Sequence, residues 1–323
     1  MDTRQTRTRA YSASPPRPAL RALEFQGSDG CDSTVVAAFA TGAHCVSGVG
    51  ACASTAPAVA AVTGSVTSVN VVFVATPENV TALAALSEKV LSCRACPRLV
   101  DWREQVACEK RAAFASEAYW GRPVPGFGDP AARIVLVGLA PAAHGANRTG
   151  RMFTGDRSGE WLVSALWRAG LANQPESHHA GDGLELRDAY MTAVVRCVPP
   201  ANRPSTGERD ACVGYLDQEL RLLTGARVLV ALGSFAFDAL ARLGGTRPRP
   251  RFGHGREVLL PGGRIMIGCY HPSQQNTFTG KLTEEMLDSV LERSTALTGS
   301  GPPGRGSRRG DVPIQRSPGS AGR

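Results

Sequence analysis

The sequence predicts an α/β protein, a three-layer α/β/α sandwich around a central four-stranded parallel sheet. Four short apolar segments, residues 133–138, 190–195, 227–232 and 265–270, have the length and continuous hydrophobicity of strands buried on both faces. Helical periodicity separates them at 161–169, 208–223 and 235–243, and a last helical segment follows at 281–292. Strands alternating with helices specify parallel pairing with right-handed crossovers, so helices must cover both faces of the sheet.

The first strand carries the most informative sequence, RIVLVGLAPAAHGANRTGRMFTGD over residues 133–156. Its apolar run breaks at Gly138 and Pro141 and passes into small and polar residues that let a backbone approach a ligand closely. Asp156 and Ser158 then precede an amphipathic run, so a helix is expected to start there with its free N–H groups facing the same loop. Ligands of open parallel sheets bind at the carboxyl ends of strands, which is where this loop begins.

Upstream, Leu83, Leu86, Val90 and Leu91 share one face of a helix over residues 79–91, and 101–110 continues as a second. Residues 1–75 are rich in Ala, Val, Ser, Thr and Gly with little periodicity. They are expected to form a poorly ordered extension with a strand around 69–74; the alternative expectation is that translation starts near 71–74 and the extension is not part of the working protein. Neither a bilayer-spanning stretch nor the layout of a secretory signal is present in the sequence. The expected catalytic domain is 76–298, and 299–323 reads as a disordered basic tail of Gly, Pro, Ser and Arg. The net charge is +8, but residues 76–298 hold 23 Arg and 3 Lys against 23 acids, so much of the excess lies in the tail. That balance is compatible with a nucleic-acid partner without establishing one.

Nine cysteines in a chain without an export signal point to metal ligation or buried thiols rather than disulfides. Cys93 and Cys96 form a C-x2-C pair held by Pro97, a spacing that lets two thiolates bind one centre, either zinc or an iron–sulfur cluster. Cys197 and Cys212 could complete a set of four or could be core thiols; spacing alone leaves both open. Cys108 and Cys269 read as partly buried bystanders, and Cys31, Cys45 and Cys52 fall in the extension.

Three further stretches follow strands. RCVPPANRPST places Asn202 between prolines, where its amide could read a planar base edge or close an Asx turn. HPSQQNTFTG places His271 at a strand tip, suited to stabilising a developing anion, although a lone His is more often structural. Phe153 could stack on a base or pack in the core.

Together, GLAPAAHGANRTGRMFTGD, the upstream CPRL, RCVPPANRPS and HPSQQNTFTG resemble the uracil-DNA glycosylase superfamily, specifically its family-five, iron–sulfur type, over about residues 83–290. The resemblance implies a 4Fe-4S cluster on Cys93, Cys96, Cys197 and Cys212, clamping the N-terminal loop to the segment that carries Asn202. It also implies excision of uracil, and of other deaminated bases such as hypoxanthine, from double-stranded DNA by hydrolysis of the N-glycosidic bond. Phe153 would be the stacking floor, with Ala140, His144 and Asn147 against base or sugar. Asn202 would pair with the pyrimidine edge, and His271 would stabilise charge on the departing base. Ser158, Gln274, Gln275 and Asn276 would contact DNA, with Phe278 in the same minor-groove segment. A monomer in the cytoplasm, at the nucleoid and off membranes, is the expected setting.

One departure from the broader superfamily matters. Many relatives carry an acidic or amide residue beside the Pro of the first motif, whereas Leu139-Ala140-Pro141-Ala142-Ala143 has none. Asp156 is the nearest acid, expected either to position water or to cap a helix. A catalytically silent DNA-binding module is the competing class. A Rossmann-type nucleotide site is disfavoured, because GLAPAAHG lacks its glycine turn.

Overall fold

The computed structural model describes residues 75–299. The expected strand at 69–74, the three cysteines of the extension, and the tail from 300 onward lie outside the described residues.

Helix α1 (Pro77–Leu91) starts with Pro in its first turn and Thr76 as cap, and α2 (Pro97–Glu109) repeats the Pro start after Cys96. The short strand β1 (Phe127–Gly128) precedes β2 (Ile134–Gly138), the one-turn helix α3 (Ala146–Thr149) and α4 (Arg157–Arg168). Then come β3 (Ala189–Ala193), α5 (Thr206–Leu222), β4 (Val228–Leu232) and α6 (Ser234–Leu243). The chain closes with β5 (Glu257–Leu259), β6 (Ile265–Cys269), α7 (Gln274–Phe278) and α8 (Glu284–Leu297).

The sheet runs β1-β3-β2-β4-β6-β5. Its central four strands pair in parallel, as expected, but β1 and β5 add antiparallel edges, which makes six strands rather than four. Both edge strands are only two or three residues long and lack an apolar run, so no periodicity marks them. The buried strands alternate between two cores. Ile134, Leu136, Val228 and Val230 face Leu162, Leu166, Leu287 and Leu291 of α4 and α8. Val135, Val137, Leu229 and Ala231 face Leu99, Leu216, Phe237 and Leu240 of α2, α5 and α6. A strand with one residue per face at period two explains why these segments are apolar throughout rather than alternating.

A polar knot is buried under this second layer. Arg196 is 1% exposed and is ion-paired with Glu219, which also accepts hydrogen bonds from Thr192 Oγ1 (2.7 Å) and Gly126 N (3.3 Å). The Nε and Nη1 atoms of Arg196 have no protein partner. Glu219 therefore supplies the counter-charge and ties α5 to β3 and to the segment before β1. Removing one member of a buried ion pair leaves an uncompensated charge, so Glu219→Ala should lower unfolding free energy by about 3–5 kcal/mol in urea denaturation. A loss below about 1 kcal/mol would show that water reaches Arg196.

Candidate active site

The carboxyl ends of β2, β3 and β6 converge on one small pocket, lined by Ala140, Phe153, Asp156, Ser158, Ala193 and His271 among others. The loop after β2 folds back onto its own strand to build most of it.

Two glycines permit that return. A Cβ on Gly138, the last residue of β2, would lie 2.7 Å from Phe153 Cζ, and one on Gly145 would lie 1.9 Å from Asp156 Oδ2. Phe153 adopts φ 51°, a left-handed conformation costly for an aromatic residue, and its ring sits 6.3 Å from that of His271. Buried arginines hold the rest of the loop. Arg148 donates to the carbonyls of His144 (2.8 Å) and Gly155 (2.8 Å). Arg151 reaches Thr154 Oγ1 (2.9 Å), Ser177 Oγ (3.1 Å) and Asp182 (2.7 Å). Burial acts to raise the Asp182 carboxyl, yet the Arg151 hydrogen bond and backbone N–H groups hold it below the usual range. Sequence reading passed over both arginines, because an Arg in a polar loop looks like surface charge.

Asp156 caps α4 and also borders the pocket. Its Oδ1 accepts from Gly159 N at 2.9 Å, capping α4, while the carboxyl also lines the pocket. Burial raises its pKa, opposed by the backbone N–H groups of Gly159 and Ser158. His271 follows β6, and burial drives its imidazole down to about 4. It is therefore neutral at physiological pH, so its ring can offer an N–H but no net positive charge. Asn276 Nδ2 donates to the His271 carbonyl at 2.9 Å, which fixes the turn that presents the ring.

Other expected contacts are placed differently. Asn147 is fully buried, with Nδ2 donating to Arg103 O at 3.3 Å and Oδ1 without a protein partner, so it faces the second layer rather than base or sugar. His144 Nδ1 is hydrogen-bonded to Tyr119 Oη at 3.0 Å and is not part of the pocket lining. Asn202 is exposed on a 3-10 turn with φ 56°, next to Ala201 at φ 51°, and is likewise absent from the lining. The structure thus unites Phe153, Asp156 and His271 but not Asn202. Asn276 serves the turn it sits in, whereas Gln274 and Gln275 are exposed on α7. Phe278 is 63% exposed, under the Arg157 guanidinium at 4.4 Å.

The four expected ligand cysteines line a second cavity, with Tyr215, Pro123 and Arg196. Cys93 lies in the α1–α2 loop, Cys96 caps α2, Cys197 lies four residues past β3, and Cys212 is on α5. Arg103 Nη1 donates to Cys197 Sγ at 3.0 Å and to the Cys93 carbonyl at 3.2 Å, and Arg196 N donates to Cys212 Sγ at 3.3 Å. Burial raises the Cys197 thiol and pushes Cys212 up to about 12, so neither ionises without a cation to replace its proton. Cationic and N–H donors aimed at sulfur fit a bound anionic thiolate centre. Among the described residues no three His, Cys, Asp or Glu converge tightly enough for a single metal ion. Of the two other described cysteines, Cys269 is buried at the end of β6 and Cys108 is exposed rather than partly buried.

Because a methyl at Gly145 would collide with Asp156 Oδ2, Gly145→Ala should displace the carboxylate and reduce turnover about as strongly as Asp156→Ala, with only about 1 kcal/mol lost from the helix cap. Steady-state rates of the two variants check this; normal turnover in Gly145→Ala would remove the carboxylate's position from the chemistry.

The family model of the uracil DNA glycosylase superfamily matches residues 125–294. A "Type-5 uracil-DNA glycosylase" of Mycobacterium bovis is 54% identical over 221 residues, covering 68% of this chain and 82% of that protein. One of Thermus thermophilus is 53% identical over 216 residues, covering 67% and 98%, and one of Pyrobaculum aerophilum is 46% identical over 211 residues, covering 65% and 91%. The pocket at the sheet's carboxyl edge and the cysteine-lined cavity both fall within or just upstream of the matched region, and the chain belongs to the uracil-DNA glycosylase superfamily.

Proposed function

We infer that the chain is a DNA-repair glycosylase that hydrolyses the N-glycosidic bond of uracil in DNA and leaves an abasic site. The observation that carries this reading is the pocket that unites Phe153, Asp156 and His271 in a chain 53–54% identical to type-5 uracil-DNA glycosylases. A base in a duplex must leave the stack before a protein can reach its glycosidic bond, and a closed pocket with an aromatic floor receives it. The Phe153 ring would stack on the everted base.

Bond breakage leaves negative charge on the base and an oxocarbenium-like sugar. Neutral His271 would donate a hydrogen bond to the developing anion, an interaction stronger in the transition state than in the substrate. Asp156 would orient water on the sugar and accept its proton as the new C–O bond forms. Two consecutive left-handed residues hold the Asn202 amide out to solvent on the loop after β3. There it would meet DNA at the pocket mouth rather than inside it. Ser158, Gln274 and Gln275 would contact the backbone, and Phe278 would support the gap left in the stack. Ala140 and Ala193 give the pocket small apolar walls that select no single base edge, which suits hypoxanthine and other deaminated bases as well. The protein would work as a monomer on double-stranded DNA, in the cytoplasm at the nucleoid. Among the described residues no helix is long and apolar enough to cross a membrane.

The four cysteines would hold a 4Fe-4S cluster. Sulfurs around a single zinc lie about 3.8 Å apart, given a 2.3 Å Zn–S bond. All four thiols line one cavity, yet among the described residues no three such ligands converge on a single ion, an arrangement that suits a larger body. Such a cluster supplies a cross-link between the α1–α2 loop, α5 and the segment after β3.

Excision measured on duplexes with uracil, hypoxanthine or no lesion tests the reading: alkali-labile sites should appear in the first two alone. Asp156→Asn keeps the cap but should cut uracil turnover at least tenfold without weakening DNA affinity, and unchanged turnover would remove Asp156 from the mechanism. Since His271 is already neutral above about pH 5, the rate should not decline as pH rises through 6.5, as it would if an imidazolium were needed. Purified protein should be brown with iron bound, and Cys197→Ser should lose both colour and thermal stability; a colourless zinc protein would overturn the cluster.

A further inference from the structure

A separate feature lies on the far side of the strand that leads to His271. Between Asp238 and Glu257 the chain carries Arg242, Arg247, Arg249, Arg251 and Arg256 and no acid. That stretch holds more positive charge than residues 76–298 net as a whole. All five side chains are exposed, and none forms an ion pair among the described residues. Elsewhere on the surface arginines such as Arg94, Arg168 and Arg221 are matched to Glu104, Asp288 and Asp217. Five unmatched like charges in one short connection repel one another, a cost that an anionic partner would relieve.

The connection is nonetheless firmly built. Prolines at 248 and 250 alternate with the central arginines and restrict the backbone. Its far end is pinned to β6. Gly255 N donates to Gly268 O at 2.7 Å, and Gly268 N donates to Arg256 O at 2.9 Å. A Cβ on Gly268 would lie 2.3 Å from Gly253 O, so only glycine there permits the contact. Phe252 packs edge-on against Phe237 at 5.5 Å, and His254 stacks on Tyr270 at 5.0 Å while its Nδ1 accepts from Tyr270 N. Phe252 of this connection lines one cleft together with Tyr270, His271, Asn276 and Lys281 of the active-site edge.

We propose that the Arg-Pro-Arg-Pro-Arg connection, residues 247–251, with Arg242 and Arg256, is a second phosphate-binding surface that grips the DNA backbone outside the base pocket. This rests on the glycosylase reading. Guanidinium forks bind phosphate oxygens bidentately, and a backbone restricted by two prolines presents them on a fixed path. The surface carries no information about the base; it holds the flanking strand so that the everted nucleotide meets the pocket in register.

The test replaces Arg247, Arg249 and Arg251 by Gln in the full-length protein and measures affinity for a lesion-free duplex over a series of salt concentrations. Each lost phosphate contact lowers the slope of log K against log salt by about 0.9, so the triple variant should lose about 2–3 units of slope. KM for a long uracil duplex should rise tenfold or more while kcat at saturating DNA stays unchanged. A slope equal to that of the parent protein overturns the proposal, as does an equal loss in an Arg94→Gln, Arg168→Gln, Arg221→Gln control. If the parent excises no uracil, the glycosylase reading fails, and the slope comparison still decides whether this surface binds DNA.

Discussion

The active site depends on a steric constraint: the loop after β2 must return to within van der Waals contact of the strand it has just left. Gly138 makes room for the Phe153 ring, Gly145 for the Asp156 carboxylate, and Gly159 for the Phe153 carbonyl, which lies 2.2 Å from where a Cβ would stand. With side chains at these points, the aromatic floor and the carboxylate could not occupy the same small volume as His271. The left-handed backbone at Phe153 is a local cost of that return. It is offset by Arg148 and Arg151, whose guanidinium groups bond carbonyls and hydroxyls along the loop instead of reaching solvent.

A second set of contacts joins this loop to the cysteine-lined cavity. Arg103 meets the Cys197 sulfur on one side and, through its backbone carbonyl, the buried Asn147 amide on the other. Asn147 belongs to α3, within the active-site loop. Arg98 bridges from the second residue of α2 to Glu208, which itself caps α5, and to the carbonyl of Arg203 beside Asn202. Arg196 and Glu219 then lock the segment that carries Cys197 to α5. Buried Arg103 and Arg196, with the more exposed Arg98, make the connection between the two cavities a chain of hydrogen-bonded cations. A cross-link among the cysteines would therefore stiffen the pocket without touching it.

Much of the fold was legible in sequence because burial on both faces demands uninterrupted apolar runs. All four central strands and the six longer helices fall within a few residues of the periodic segments that mark them. The edge strands β1 and β5 escaped, since strands of two or three residues carry no period. So did α3 and α7, whose polar sequences fold as single turns held by Gly145, Ser273 and their neighbours. Within the site, Phe153, Asp156 and His271 stood out by their place after strands and Cys93 and Cys96 by their spacing, whereas Cys197 and Cys212 joined them only through the family resemblance. Asn147 was misread, because a polar residue in a polar loop gives no sign that its side chain turns inward.

What the sequence determined by itself is the layering, the parallel order of the sheet's core and the set of residues able to do chemistry, because each follows from local periodicity or from the chemistry of single side chains. What only the tertiary structure decided is which of those residues meet. Asp156 caps a helix and faces the pocket at once, His271 is neutral, Asn202 stands outside the lining, and Asn276 holds a carbonyl. Each of these outcomes depends on distances and burial between segments far apart in the chain, quantities that no local pattern of residues encodes.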